Sequence, residues 1–188
     1  MASAPGKGSL LVASPTLSDP NFYRSVIFLL AHDDDDGTLG VVLNRPSPVP
    51  VDEIVPGWGG VAALPPVLFV GGPVQPSAAI CIGRTEMPQV AEAAGFAPLI
   101  GNLGTIDLNE DPAGVPVALV EVRVFTGYAG WGPGQLADEI GTGSWHVLKG
   151  GEDDVLSTDP DGLWSRVLRR EGGWLAALAL YPPDLGSN

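Results

Sequence analysis

The chain has 188 residues, 45% of them apolar and only 16% charged, which supports a packed core and excludes a disordered chain. Twenty-two acidic residues against 9 basic ones give a net charge of −13, which disfavours generic binding to phosphate backbones. One cysteine, Cys81, excludes an internal disulfide and fits a reducing compartment. No apolar run approaches the ~18 residues of a membrane span. The first residues carry an apolar run too short for a signal segment. The length fits one domain, with residues 1–7 as a flexible tail and 8–184 as the folded unit.

In chain order, Ser9–Ala13 reads as a short strand. Pro15, Asp19 and Pro20 mark a turn that Asp19 can cap. Ser25–Ala31 is apolar on both faces, the pattern of a fully covered strand. His32 and Asp33–Asp36 then lead through Gly37 into a second strand, Thr38–Leu43, which together predict a hairpin. A short helix is expected at Val51–Val55. Val67–Val70 reads as a strand with Ala78–Ile82 beside it, Glu86–Ala94 as a helix, and 95–114 as loop.

From Val120 to Phe125 a period of two predicts a strand, which Gly127, Gly130, Gly132 and Gly134 are expected to break into a turn. Gly132 then reads as a helix N-cap, Pro133 as the first helical residue, and Gln135 as the residue whose amide reaches back to the cap. Trp131 and Leu136 have the spacing of a hydrophobic staple. Trp145–Leu148 reads as a strand and Gly150–Asp154 as an acidic loop. Leu163, Trp164, Val167 and Leu168 form a helical stripe in a segment opened by Asp159-Pro160 and closed by Gly172. Trp174–Tyr181 reads as a strand and Pro182–Asn188 as a tail.

The chemistry-bearing residues are few. Arg24-Ser25 opens the buried strand, as an anion contact or an activated serine, or else as a salt bridge with a strand-end hydrogen bond. No G-x-S-x-G elbow surrounds a serine. His32 with Asp33–Asp36 lacks the spacing of a calcium loop and reads better as a solvated hairpin tip. Two histidines and one cysteine give zinc poor prospects, and no metal or other cofactor is expected. Gly71-Gly72-Pro73 lacks the Lys-Ser or Lys-Thr of a phosphate loop. Cys81 reads as a buried, inert thiol. Arg166, Arg169 and Arg170 suit a helix end. The richest set is Tyr128, Trp131, Gln135 and Glu139: two rings, an amide and a carboxylate beside one turn. These four either line a pocket or form a staple and capping box.

Several stretches together resemble the YqgE/AlgH family of bacterial proteins: GSLLVASPTLSDPNFYRSVIFLLAHDDDDGTLGVVLNRP (Gly8–Pro46), VGGPV (Val70–Val74), GYAGWGPGQLADEI (Gly127–Ile140) and GSW (Gly143–Trp145). The resemblance implies an α+β fold, a single compact domain of bent mixed β-sheets, barrel-like or bifurcated, with a few packed helices. It implies a bacterial cytoplasmic protein. Members are commonly labelled transcriptional regulators, without an established catalytic set. The chain departs from the family at Cys81-Ile82-Gly83, where many members carry a histidine.

These features point to a non-enzymatic binding or regulatory protein. Its small-molecule or protein partner would sit near Tyr128, Trp131, Gln135 and Glu139, with Arg24, Asn44 and Arg45 as neighbours. The alternatives are direct DNA binding, against which the charge and the absence of a helix-turn-helix pattern count, and a hydrolase using a carboxylate such as Asp19 or Glu139.

Overall fold

The computed structural model describes residues 4–88 and 91–183. Ten strands hydrogen-bond into one curled sheet: β1 (Ser9–Ala13), β2 (Val26–Asp33), β3 (Gly37–Val42), β4 (Pro46–Pro50), β5 (Val67–Val70), β6 (Val74–Thr85), β7 (Phe96–Pro98), β8 (Leu103–Ile106), β9 (Leu119–Trp131) and β10 (Trp145–Lys149). The order is β10-β1-β2-β3-β9-β6-β8-β7, with β5 joined parallel to β9 and β4 paired to β5. Five helices accompany it: α1 (Val51–Ile54), α2 (Gln135–Gly141), α3 (Glu152–Val155), α4 (Leu163–Glu171) and α5 (Gly173–Leu178).

β2 shows why the apolar-on-both-faces pattern means a central strand. Val26 and Phe28 enter a core completed by Val167 and Leu168 of α4, while Ile27 and Leu29 enter a second core with Leu136 of α2. All four α4 stripe residues are buried, and Gly172 closes the helix at φ 74°. A third core lies under β6, β8 and β9, around Trp58, Val122 and Val124.

β9 is the spine. Its first half pairs with β6, its middle with β5, and its last residues with β3. The glycines expected to end this strand do not. Gly127, at φ 69°, is accommodated by a register shift against β6, where Val74 faces Tyr128 but Ala79 faces Thr126. Such a bulge bends a strand without ending it. Gly72 permits the close crossing beside it: a Cβ there would lie 2.1 Å from the Tyr128 carbonyl carbon.

Other expectations are corrected by tertiary pairing. Ala78–Ile82 is not beside β5, because β9 runs between them, with Phe69 and Ile80 both opposite Phe125. Segment 95–114 contains β7 and β8, stabilised by the long edge of β6. The described residues of 86–94 are not helical, and Ala93 instead bridges Phe96; residues 89–90 lie outside the described range. The acidic stretch at 150–154 holds α3, whose N-terminal turn Asp154 caps by accepting the Gly151 N–H at 2.9 Å. Of Trp174–Tyr181, residues 174–178 are helical within α5 and 179–181 form a turn, with Leu175 and Leu178 packed on the α4 side of the core. Pro46–Pro50 forms a strand, and its three prolines are tolerated because, among the described residues, β4 pairs only with β5.

Candidate functional site

The turn Asp19–Arg24 is where the candidate residues meet. Asp19 caps it as expected, with Oδ1 accepting the Asn21 N–H at 2.8 Å and its carbonyl accepting the N–H groups of Phe22 and Tyr23. Phe22 points to one side of this turn and Tyr23-Arg24 reach an arginine cluster on the other.

On the Phe22 side lies an aromatic corner. The Trp131 ring stacks on Phe22 at 6.4 Å, and Trp145 stands edge-on to both, 5.7 Å from Phe22 and 5.9 Å from Trp131. Glu139 ties the corner together. Its Oε2 accepts the indole N–H of Trp131 at 2.9 Å and of Trp145 at 2.7 Å, and its Oε1 accepts Gln135 Nε2 at 2.9 Å. Gln135 Oε1 in turn accepts the Gly132 N–H at 3.1 Å, the contact expected of a capping residue. The helix itself starts two residues later than Gly132, with left-handed Gly134 as its N-cap. Both indoles are nearly buried, whereas Gln135 is exposed.

Tyr128 does not join this set. Because the strand continues through Gly127 and Gly130, an interval of three residues puts Tyr128 and Trp131 on opposite faces. Tyr128 packs on the α4-side core and Trp131 in the α2-side core.

The arginine side is held by main-chain contacts. Asn44, buried at the end of β3, accepts the Val26 N–H at 3.0 Å and donates to the Arg24 carbonyl at 2.9 Å. Arg24 takes a positive φ of 50°, its guanidinium lies 4.5 Å from the Trp164 ring centre, and it donates to the Tyr181 carbonyl. Arg24 Nε and Ser25 Oγ are buried without partners among the described residues. Arg45 donates to the carbonyls of Asn44 and Tyr23. Burial pushes the Arg45 pKa down, and Asp161 partly offsets this. Neither Arg24 nor Arg45 forms an ion pair within 4 Å among the described residues.

Two clefts flank the turn and share Pro20. One, of about 520 Å³, lies between Thr16–Pro20 and Thr142–Ser144. The other, of about 290 Å³, is lined by Pro20, Asn21, Val42, Arg45, Pro46, Val70, Gly72 and Pro73. Thus Arg45 faces a mainly apolar cleft, while Trp131, Gln135 and Glu139 stand on the other side of the turn.

The remaining sequence candidates have structural partners. Cys81 is buried and its thiol pKa is pushed up to about 12 by desolvation. His32 Nδ1 bonds Thr38 Oγ1 at 2.7 Å, and the Asp33 carboxyl is lowered by N–H donors from Asp35 and Asp36. Among the described residues, no group of three His, Cys, Asp or Glu side chains is placed to hold a metal. Arg166 pairs with Asp159 at 3.0 Å and Arg170 with Asp154 at 2.8 Å.

Sequence reasoning missed Arg123. It is 2% exposed and donates to the carbonyls of Ser157 at 2.8 Å, Val155 at 3.2 Å and Leu64 at 2.7 Å. Desolvation lowers its pKa to about 10, which leaves it charged at neutral pH. The signal available was an arginine inside an apolar run, but its three acceptors come from distant segments.

A curled sheet spanned by a bulged β9, cornered by two indoles on one carboxylate, defines a class of compact α+β proteins. The chain belongs to the AlgH-like family, whose model matches residues 10–176. It is similar to a UPF0301 protein of Thermobifida fusca, 48% identical over 94% of this chain and 92% of the relative. A Streptomyces avermitilis UPF0301 protein is also 48% identical, over 96% and 94%. Among solved structures, a Corynebacterium diphtheriae protein superposes with a TM-score of 0.86 at 31% identity, covering 95% of this chain and 94% of that one. The solution structure of AlgH from Pseudomonas aeruginosa superposes with a TM-score of 0.67 at 25% identity, covering 97% and 98%.

Proposed function

We propose that this protein is a non-enzymatic, cytoplasmic binding module with a regulatory role. Its ligand presents a carboxylate or phosphate to Arg45 and an apolar body to Val42, Val70 and the prolines of the smaller cleft. The observation that carries this reading is Arg45. In a chain with 22 acidic residues, it makes no ion pair among the described residues, yet it lines an apolar cleft. A partly desolvated guanidinium in such a setting favours a charged hydrogen-bond acceptor. Asn44 and Arg24 hold the turn that positions it. The corner of Trp131, Gln135 and Glu139 fixes the same turn through Phe22. Tyr128 supports the Gly72 wall through its main chain.

A nucleophile with an adjacent base is the feature a hydrolase would need. The carboxylates this alternative names have structural duties instead: Asp19 Oδ1 accepts the Asn21 N–H of its own turn, and the two Glu139 oxygens accept N–H groups of Trp131, Trp145 and Gln135.

The test is a thermal-shift screen of small carboxylates, phosphate esters and nucleotides. A ligand that binds only the folded state raises the melting temperature by mass action. At least one anionic compound is expected to shift the wild type by several degrees and to lose that shift in Arg45→Gln, with Gln135→Ala unaffected. An equal shift in wild type and Arg45→Gln would remove the proposal's basis.

A further inference from the structure

The end of the sheet at β10 is built differently from its other open edges. β4 carries Pro46, Pro48 and Pro50, and β7 is three residues long and ends at Pro98. Proline and short length are ordinary defences against strand addition. β10 is five residues long, contains no proline, and among the described residues has β1 as its only neighbour.

The register says which main-chain groups are open. Ser9 faces Lys149 and Ala13 faces Trp145. Just outside the strand, the Ser14 N–H donates to the Ser144 carbonyl at 2.9 Å and the Gly150 N–H to the Gly8 carbonyl at 3.2 Å. Inward and outward residues alternate in an antiparallel ladder. His146 and Leu148 therefore address β1, and Trp145, Val147 and Lys149 turn their N–H and C=O groups outward. Of these, the Lys149 carbonyl accepts Arg170 Nη2 at 3.1 Å, which stops the free stretch at one end.

The open edge is not bare. It forms the floor of a cleft of about 500 Å³, with Ile140 and Gly143 on one side and Glu171, Trp174 and Leu175 on the other. Trp174 is 65% exposed, yet its ring stands edge-on to His146 at 5.1 Å. Main-chain groups in a row, with apolar walls on both faces, are the elements of strand-addition recognition.

We infer that β10 receives an extended segment of another protein as an eleventh strand, and that this segment is basic. Its main chain bonds to Trp145 and Val147. Its alternate side chains contact Trp174 and Leu175 on one face and Ile140 on the other, and a lysine or arginine joins Arg170, 3.9 Å away, at the Glu171 carboxylate. Charge selects this occupant. A chain of net charge −13 repels a second copy of itself and attracts a cationic segment. The cleft shares no lining residue with the Arg45 cleft, so the two sites stand or fall separately.

The probe is a displayed library of unconstrained random peptides, about twelve residues long, selected on the immobilised full chain. Selected peptides are expected to be rich in lysine and arginine and poor in proline. They should slow hydrogen exchange of the Val147 amide about tenfold and bind about tenfold more weakly to Trp174→Ala, whose side chain is 65% exposed in the free protein. N-methylation of alternate peptide amides should cost a similar factor, because it removes the ladder bonds. A library that yields no binder overturns the inference, as do binders that leave Val147 exchange unchanged. A free protein that sediments as a dimer with Val147 already protected overturns it too, in favour of a second copy on this edge.

Discussion

Glu139 shows how one side chain decides whether a motif is a pocket or a corner. Its spacing from Gln135 is legible in the sequence, because residues four apart share a helix face. Its bonds to Trp131 and Trp145 are not, since they need the end of β9 and the start of β10 to converge on α2. Removing the carboxylate leaves two nearly buried indole N–H groups without acceptors. Glu139→Ala is therefore expected to destabilise the fold by about 2–4 kcal/mol, against less than about 1 kcal/mol for Gln135→Ala at the exposed end of the chain of bonds. Urea denaturation checks this, and equal costs for the two variants would contradict the account. Arg123 makes a comparable point: it ties three carbonyls together, and none of them is near it in sequence.

Among the elements, β10 combines a structural and a titratable feature. Burial lowers the His146 pKa from 6.5, and Nε2 has no partner among the described residues. The folded state thus prefers neutral imidazole, while the unfolded chain takes up a proton below pH 6.5. Stability from this group is fully present above pH 6.5. It is lost as pH falls toward the lowered folded value. Lys149 and Glu171 line the same cleft. Melting temperature is expected to drop between pH 7 and pH 5, and His146→Gln should show a smaller drop. Identical slopes in the two proteins would exclude His146 as the cause. β9 carries the main lesson about elements. The alternation from Val120 onward identified the strand, but the glycines hid its length, because a bulge and a turn look alike until pairing partners are known.

For the whole molecule, net charge bears on the DNA-binding alternative. The net charge of −13 opposes the field of duplex DNA, and the basic side chains of α4 are largely spent on Asp154 and Asp159. An electrophoretic shift assay with random-sequence duplex at low salt is expected to show no complex; a stable, salt-sensitive complex would restore the DNA-binding alternative. Among the described residues no helix is long and apolar enough to cross a membrane. The proposed regulatory role rests on the two proposed sites, one for an anionic ligand and one for an extended protein segment.

The sequence by itself determined the parts whose cause is local. These are the covered strand β2, the β2–β3 hairpin, the amphipathic stripe and glycine stop of α4, the Asp19 turn and the Gln135–Gly132 contact, together with the family. Each rests on periodicity or on a side chain bonding within a few residues. Tertiary structure alone decided the course of β9 through its glycines, the strands inside 95–114, the helical fate of Trp174–Leu178, the separation of Tyr128 from Trp131, and the exposure of the β10 edge. In each case the deciding energy is a hydrogen bond or an apolar contact with a segment distant along the chain, and local pattern carries no record of that partner.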